Sequence, residues 1–276
     1  MAGKGSNLGT SPVWRTVWQD RNNMRYPVLC DLDGVIWLGD EPIEGSAAAV
    51  ADLRRAGHRV LFVTNFSFAP VEETERKLAR HGIPARGDVV TSAQAAAHLV
   101  SPGERVMVFG GPGIDEAVAE RGADTVTEGP ADAVIVGFHR SFDFSAMTKA
   151  ATAVRAGARL IGTNDDATYP TPDGPIPGGG AILASVAVAS GVSPLVAGKP
   201  HHAMADLVRG VLGGALEQAV MVGDRADTDG LFAQRLGCRY AQVWSGVTPE
   251  GLMPNPIPDL TGKNLADIAR QLLHAF

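Results

Sequence analysis

Cysteine is scarce in this chain of 276 residues: Cys30 and Cys238 are the only two, and neither belongs to a CxxC pair or a Cys/His cluster of zinc-ligand spacing. That argues against a disulfide framework and a zinc site, and it fits a reducing, cytoplasmic setting. Long apolar runs are missing too. None reaches the roughly 20 residues that span a bilayer, and the opening MAGKGSNLGTSPVWRTVWQD lacks the continuous apolar core of a signal peptide. Positive charge is also short. The 24 Lys and Arg are scattered and outnumbered by 30 Asp and Glu, a net charge of −6, so neither a nucleic acid nor an anionic membrane is an expected partner.

What is present is a soluble globular composition, 45% hydrophobic and 20% charged, in a chain long enough for two compact domains. Residues 1–24 are polar and rich in Gly, Ser and Asn, and read as a flexible arm outside the fold. Within it, Val13, Trp14, Val17 and Trp18 have the i, i+4 spacing of one short amphipathic helix.

From Tyr26 onward, β-rich runs alternate with helical periods: YPVLCD, a helix around Gly45 to Gly57, HRVLFVTN, then a helix from Val71 to Gly82. Later runs PLVAGK, AVMVGD and CRYAQVWSG continue the series. Such alternation predicts an α/β fold of βαβ units on a parallel sheet, and strands without polar alternation are those buried on both faces. A second series, RVMVFGG, DAVIVGF and RLIGTN with their own helices, interrupts the first. The expected organisation is a core domain over 25–102 and 195–276 with an inserted α/β domain over 103–194.

Chemistry-bearing residues fall where strands end, the edge at which open parallel sheets bind ligands. Asp31 and Asp33 close the first strand, one residue apart, with Gly34 supplying the freedom to turn both carboxylates toward one ligand. Thr64 and Asn65, with Ser67 beyond, close the second and suit an uncharged grip on phosphate oxygens. Lys199, in Gly198-Lys199-Pro200, brings an ammonium to the same rim, and Asp224, Asp227 and Asp229 form an acidic cluster after another strand. Hard carboxylate oxygens without histidine or thiolate companions select Mg²⁺. Phosphoryl transfer needs these parts, and an aspartate is a competent nucleophile for it.

DLDGV, VTN, GKP and VGDRADTD stand in the order of the four motifs of the haloacid dehalogenase superfamily, which the chain resembles. TSAQAAAHL, VIVGF with RSFDF, IGTNDDATYP, IPGGGA and SGVTP are similar to its NagD-like, p-nitrophenylphosphatase branch. The resemblance covers about 26–276 and implies a Rossmann-like core with a large α/β cap, a small phosphorylated metabolite as substrate, and dimers in which caps meet. It makes Asp31 the nucleophile and Asp33 the acid and base, with Thr64 and Asn65 holding the phosphoryl group. Lys199 would neutralise charge on Asp31 and the phosphate. Asp224 would bind Mg²⁺ with Asp31 and the backbone carbonyl of Asp33, Asp229 would support that shell, and Asp227 is a solvated surface residue. Phosphoryl transfer to an acceptor other than water, or phosphate-ligand binding without turnover, are the competing readings.

Three positions depart from the branch pattern. Phe66 replaces an expected second asparagine, His139 stands where aspartate is common, and Gly179 stands where a bulkier residue is usual. His139 and Gly179 are therefore candidate substrate contacts in the cap. Gly110 to Gly113 lacks dinucleotide-fingerprint spacing and reads as a turn, Gly178 to Gly180 reads as chain reversal or an anion-receiving helix start, and His201 and His202 read as solvated.

Overall fold

The computed structural model describes residues 26–169, 171, 174–214 and 216–274. The N-terminal arm with Trp14 and Trp18 lies outside them. The chain runs β1 (Val28–Cys30), β2 (Trp37–Leu38), β3 (Glu41–Pro42), α1 (Ser46–Arg55), β4 (Val60–Thr64), α2 (Val71–Arg80), β5 (Val89–Thr91) and α3 (Ser92–Ala97). The interrupting segment holds β6 (Arg105–Phe109), α4 (Pro112–Glu120), β7 (Asp124–Val126), β8 (Ala133–Val136), α5 (Phe144–Arg155) and β9 (Arg159–Gly162). It continues through β10 (Thr168–Tyr169), β11 (Ile176–Pro177), α6 (Gly179–Ser190) and β12 (Leu195–Val196). The chain then returns through α7 (His202–Leu212), β13 (Val220–Gly223), a π-turn (Ala226–Gly230), α8 (Leu231–Leu236), β14 (Arg239–Val243), β15 (Leu260–Gly262) and α9 (Leu265–His274).

Six strands form one parallel sheet in the order β15-β14-β13-β1-β4-β5, and five form another in the order β12-β9-β8-β6-β7. In the first, β1 lies between β13 and β4, with Cys30 level with Val222 and Phe62. The chain therefore winds outward in both directions from β1, and the strand ends beside it are where the order reverses and a crevice opens. Asp31, Thr64 and Asp224 occupy those ends. The α/β architecture read from the sequence is the one observed.

One boundary moves. PLVAGK was expected to open the returning half of the core, but β12 pairs with β9, Leu195 level with Ile161 and Val196 with Gly162. Backbone bonds extend that line, from Ala197 N to Gly162 O and from Gly198 N to Thr163 O. Lys199 is thus delivered from the edge of the second sheet. Leu195 is too exposed to mark a strand buried on both faces, and a two-residue edge strand carries no pattern that tells one sheet from the other.

Strand parity decides how the sheets are covered, since alternate side chains face opposite ways. Val28, Cys30, Phe62 and Val222 pack under α1 and α9, while Leu29, Leu61, Val63 and Met221 face α3, α7 and α8. In the second sheet, Met107, Val134 and Leu160 meet α5 and α6. Val106, Ile135 and Ile161 join the same unbroken cluster as Leu29 and Leu61, through α3, α4 and α7. The inserted unit shares a core with its host, with Gly111 and Gly113 letting α4 start against Phe68 and Ala69, which accounts for the Gly110 to Gly113 run as close backbone packing. No described helix is long and apolar enough to cross a membrane.

Candidate active site

Three strand ends of one sheet and three of the other meet around a cavity of about 900 Å³. Asp31, Asp33, Thr64, Asp224 and Asp229 line it from the first sheet, and Asn164, Asp166, Gly179 and Lys199 from the second. At its floor the Lys199 Nζ lies 2.8 Å from Asp31 Oδ1 and 2.8 Å from Asp229 Oδ1. Lys199 and Asp229 are both buried, so each requires the other: a buried charge without its partner costs several kcal/mol. Burial works against the lysine's charge, but Asp229 and Asp31 reverse this and hold its pKa above the ordinary value.

Asp229 has both oxygens engaged, Oδ1 by Lys199 and Oδ2 by the Arg225 backbone N–H at 3.2 Å. It is the brace of the floor. Asp224 accepts from Val247 N at 2.7 Å, and its own carbonyl accepts from Gln242 Nε2 at 2.7 Å. Burial, then the charges of Asp229 and Asp31, push the Asp224 carboxyl up to about 8, and burial also raises Asp31. Oxygens of Asp31, Asp224 and Asp229 lie within 4.8 Å of one another. Three carboxylates against one ammonium leave surplus negative charge, and an all-oxygen donor set of this kind fits a divalent cation. Asp31 and Asp224 are placed to hold it. Two glycines make the room: at Gly34, where φ is +81°, a Cβ would lie 2.6 Å from the Asp224 carboxyl carbon, and at Gly246 2.0 Å from its Oδ2.

Asn65 does something other than grip phosphate with its side chain. Its Oδ1 accepts from Lys199 N at 2.7 Å, and its Nδ2 donates to Lys199 O at 3.0 Å and to Asp166 Oδ2 at 3.0 Å. The amide brackets the Lys199 peptide and fixes where the ammonium stands. Ser67 is likewise engaged, its Oγ 3.0 Å from Thr163 Oγ1. Thr64 stays at the cavity floor, accepting from Phe66 N at 3.0 Å and keeping a hydroxyl proton to donate.

Among the cap expectations, Gly179 lines the cavity at the start of α6, and His139 does not. The His139 Nδ1 accepts from Ser141 N at 3.1 Å, and the wall is formed instead by its neighbour Phe138. His202 is exposed as expected, beside Arg235, and His201 is half-buried, its Nε2 3.1 Å from Asp165 Oδ2. Asp227 is exposed as expected, and holds Arg225 at 3.0 Å.

Sequence reading missed Trp37, Asp166, Arg225 and Tyr169. Asp166 lies between Asn65 and Arg225, whose Nη1 is 3.5 Å away, joining the two sheets over the site. Phe66, Phe138 and Tyr169 form an aromatic wall, with centroids 5.8 Å apart for Phe66 and Tyr169 and 5.2 Å for Phe138 and Tyr169, and Phe68 packs against Phe66 and Phe138 outside the cavity lining. The only signal for these was their place beside motifs, in DLDGVIW, VTNFSF, VIVGF, VGDRAD and IGTNDDATYP.

Two family models match this chain, a haloacid dehalogenase-like hydrolase over residues 28–124 and a HAD-hydrolase-like model over 196–268. A D-glycerol 3-phosphate phosphatase of Mycobacterium tuberculosis is 38% identical over 227 residues, 80% of this chain and 63% of that protein, so the match spans less than two thirds of that relative. An acid sugar phosphatase of Staphylococcus saprophyticus is 34% identical over 250 residues, 88% of this chain and 96% of that one. Among solved structures, p-nitrophenyl phosphatase from Archaeoglobus fulgidus superposes with a TM-score of 0.85 at 28% identity, covering 90% and 99% of the two chains. The M. tuberculosis glycerol phosphate phosphatase in complex with magnesium gives 0.80 at 34%, covering 89% and 78%.

Proposed function

The chain belongs to the haloacid dehalogenase-like hydrolases, in the branch of the glycerol phosphate, acid sugar and p-nitrophenyl phosphatases, and from that premise we propose that it is a Mg²⁺-dependent phosphatase of small phosphate monoesters working through an aspartyl-phosphate on Asp31. The observation that carries the reading is the floor of the cavity, where Asp31 lies 2.8 Å from a buried ammonium and beside Asp224. When bound, Mg²⁺ supplies charge neutralisation for the transferring phosphoryl group.

In the first step an Asp31 oxygen attacks phosphorus, the ester P–O bond breaks, and Asp33 gives its proton to the departing oxygen. In the second, water attacks phosphorus, Asp33 takes its proton, the bond to Asp31 breaks, and phosphate leaves. Burial raises the Asp33 pKa, against the donated bond from Trp37, which favours a carboxyl that carries a proton into the first step. Lys199 balances charge on Asp31 and on the incoming anion, while Thr64 donates to a phosphoryl oxygen. The hydroxyl-rich and aromatic linings together suit a sugar phosphate, glycerol phosphate, nucleotide or pyridoxal phosphate, with Gly179, where a Cβ would lie 3.1 Å from Asn164 Oδ1, letting α6 start close against the cavity wall. A homodimer through the inserted unit belongs to the same proposal, supported by the exposed apolar Phe144, Val188 and Leu195.

Asp31→Asn tests the reading. It is isosteric, so the melting temperature should hold while phosphate release falls by at least about a thousandfold; Mg²⁺-dependent turnover persisting in that variant removes Asp31 as nucleophile.

A further inference from the structure

After β1 the chain folds into a tight turn: Leu32 O accepts from Val35 N, Ile36 N at 2.8 Å and Trp37 N, and Gly34 N donates to Trp37 O at 2.8 Å. This turn makes an isolated bridge between Asp33 and Trp37 and brings the indole over the aspartate, where Nε1 donates to Asp33 Oδ1 at 3.1 Å. The ring is held from several sides. Lys77 of α2 places its Nζ 4.3 Å from the ring centroid, the His81 ring lies 5.9 Å away, and β2 pairs with β3, Trp37 level with Pro42. Lys77 is itself anchored by Gly39 O at 2.6 Å and Asp40 at 3.2 Å. Trp37 is 4% exposed, and a buried indole N–H requires an acceptor.

The consequence concerns which oxygen of Asp33 carries the proton. An acceptor already occupied by an N–H is the poorer place for a proton, and among the described residues Oδ2 has no side-chain or backbone partner. We propose that Trp37 is a positioning residue for the acid step: its indole N–H fixes the rotation of the Asp33 carboxyl and leaves Oδ2 as the oxygen that faces the leaving group. Packing alone would explain a buried tryptophan, since Trp37 also belongs to the cluster under α1 and α9. The two roles differ in what their loss does to different esters.

An alkyl phosphate such as glycerol 3-phosphate departs as a basic alkoxide and needs the proton, whereas p-nitrophenolate leaves without one. General acid catalysis contributes about 10²- to 10⁴-fold to a step that needs it. Trp37→Phe should lower kcat/KM for the alkyl ester at least about tenfold and for p-nitrophenyl phosphate less than about threefold. Replacing Trp37 with 3-benzothienylalanine, which has sulfur in place of the N–H and nearly the same shape, should reproduce that split even where the phenylalanine variant folds poorly. Equal losses on both esters, or none with the benzothienyl side chain, overturn the assignment. The inference rests on Asp33 as acid, and Asp33→Asn keeps the two apart. If Asp33→Asn lowers kcat/KM, which reports the first step alone, equally for both esters, the acid assignment falls and takes the inference with it; if Asp33→Asn discriminates in kcat/KM and the Trp37 variants do not, only Trp37 loses its role.

Discussion

Asp224 is protonated more readily in the folded chain than in the unfolded one, and this gives the site a pH signature. Its carboxyl is pushed up to about 8 from an ordinary 3.8, by burial and then by Asp229 and Asp31. Between those values the metal-free folded state binds more protons than the unfolded state, so stability is fully present below pH 4 and is lost as pH rises through 8. A divalent cation removes that penalty by compensating the carboxylate. In chelator, the melting temperature should fall from pH 5 to pH 8, Asp224→Asn should flatten the fall, and added Mg²⁺ should raise the melting temperature more at pH 8 than at pH 5. A Mg²⁺ effect independent of pH contradicts this account of Asp224. Asn65 shows the other side of residue-scale reading: its type and spacing fitted a phosphate grip, yet all its amide bonds go to Lys199 and Asp166. Spacing places a residue at the rim without saying which of its atoms are already engaged.

At the scale of elements, strand ends were the legible part. Asp31, Thr64 and Asp224 follow apolar runs that periodicity assigns to buried strands, and β1, β4 and β13 put all three at one edge. What the sequence left hidden is what two-residue elements and tertiary contacts decide. β12 joins the inserted sheet through two register pairs, too few to leave a pattern. His139 and Phe138 are neighbours, and only the turn after β8 decides that the phenylalanine enters the cavity. The aromatic wall is built from three separate places, Phe66 after β4 with Phe68 packed against it, Phe138 after β8 and Tyr169 on β10. Because Phe66 presents an apolar face where the branch pattern has asparagine, Phe66→Asn should shift the ratio of kcat/KM for aryl over polyol phosphates downward by about tenfold, the scale of one apolar contact in a pocket. Parallel rates on a panel of both ester types check it, and an unchanged ratio takes Phe66 out of leaving-group selection.

The whole molecule sets two parallel sheets with their carboxyl-end rims on one cavity. Groups of the proposed mechanism come from both: Asp31, Asp33 and Asp224 from one and Lys199 from the other, with Asp166 of the second sheet bracing the rim. The shared core running from Leu29 to Ile161 fixes that relation, and the Asn65, Asp166 and Arg225 bonds tie the rims together across the site. The proposed mechanism needs bulk water excluded while the phosphoryl group passes to Asp31 and one water admitted for the second step. The most direct test separates those steps. With Asp33→Asn and p-nitrophenyl phosphate in Mg²⁺, the first step needs no acid and the second lacks its base. Rapid quenching should show a burst of about one p-nitrophenolate per site, followed by slow turnover, with the phosphoryl group mapping to Asp31. Steady release without a burst, or label on another residue, contradicts the aspartyl-phosphate mechanism.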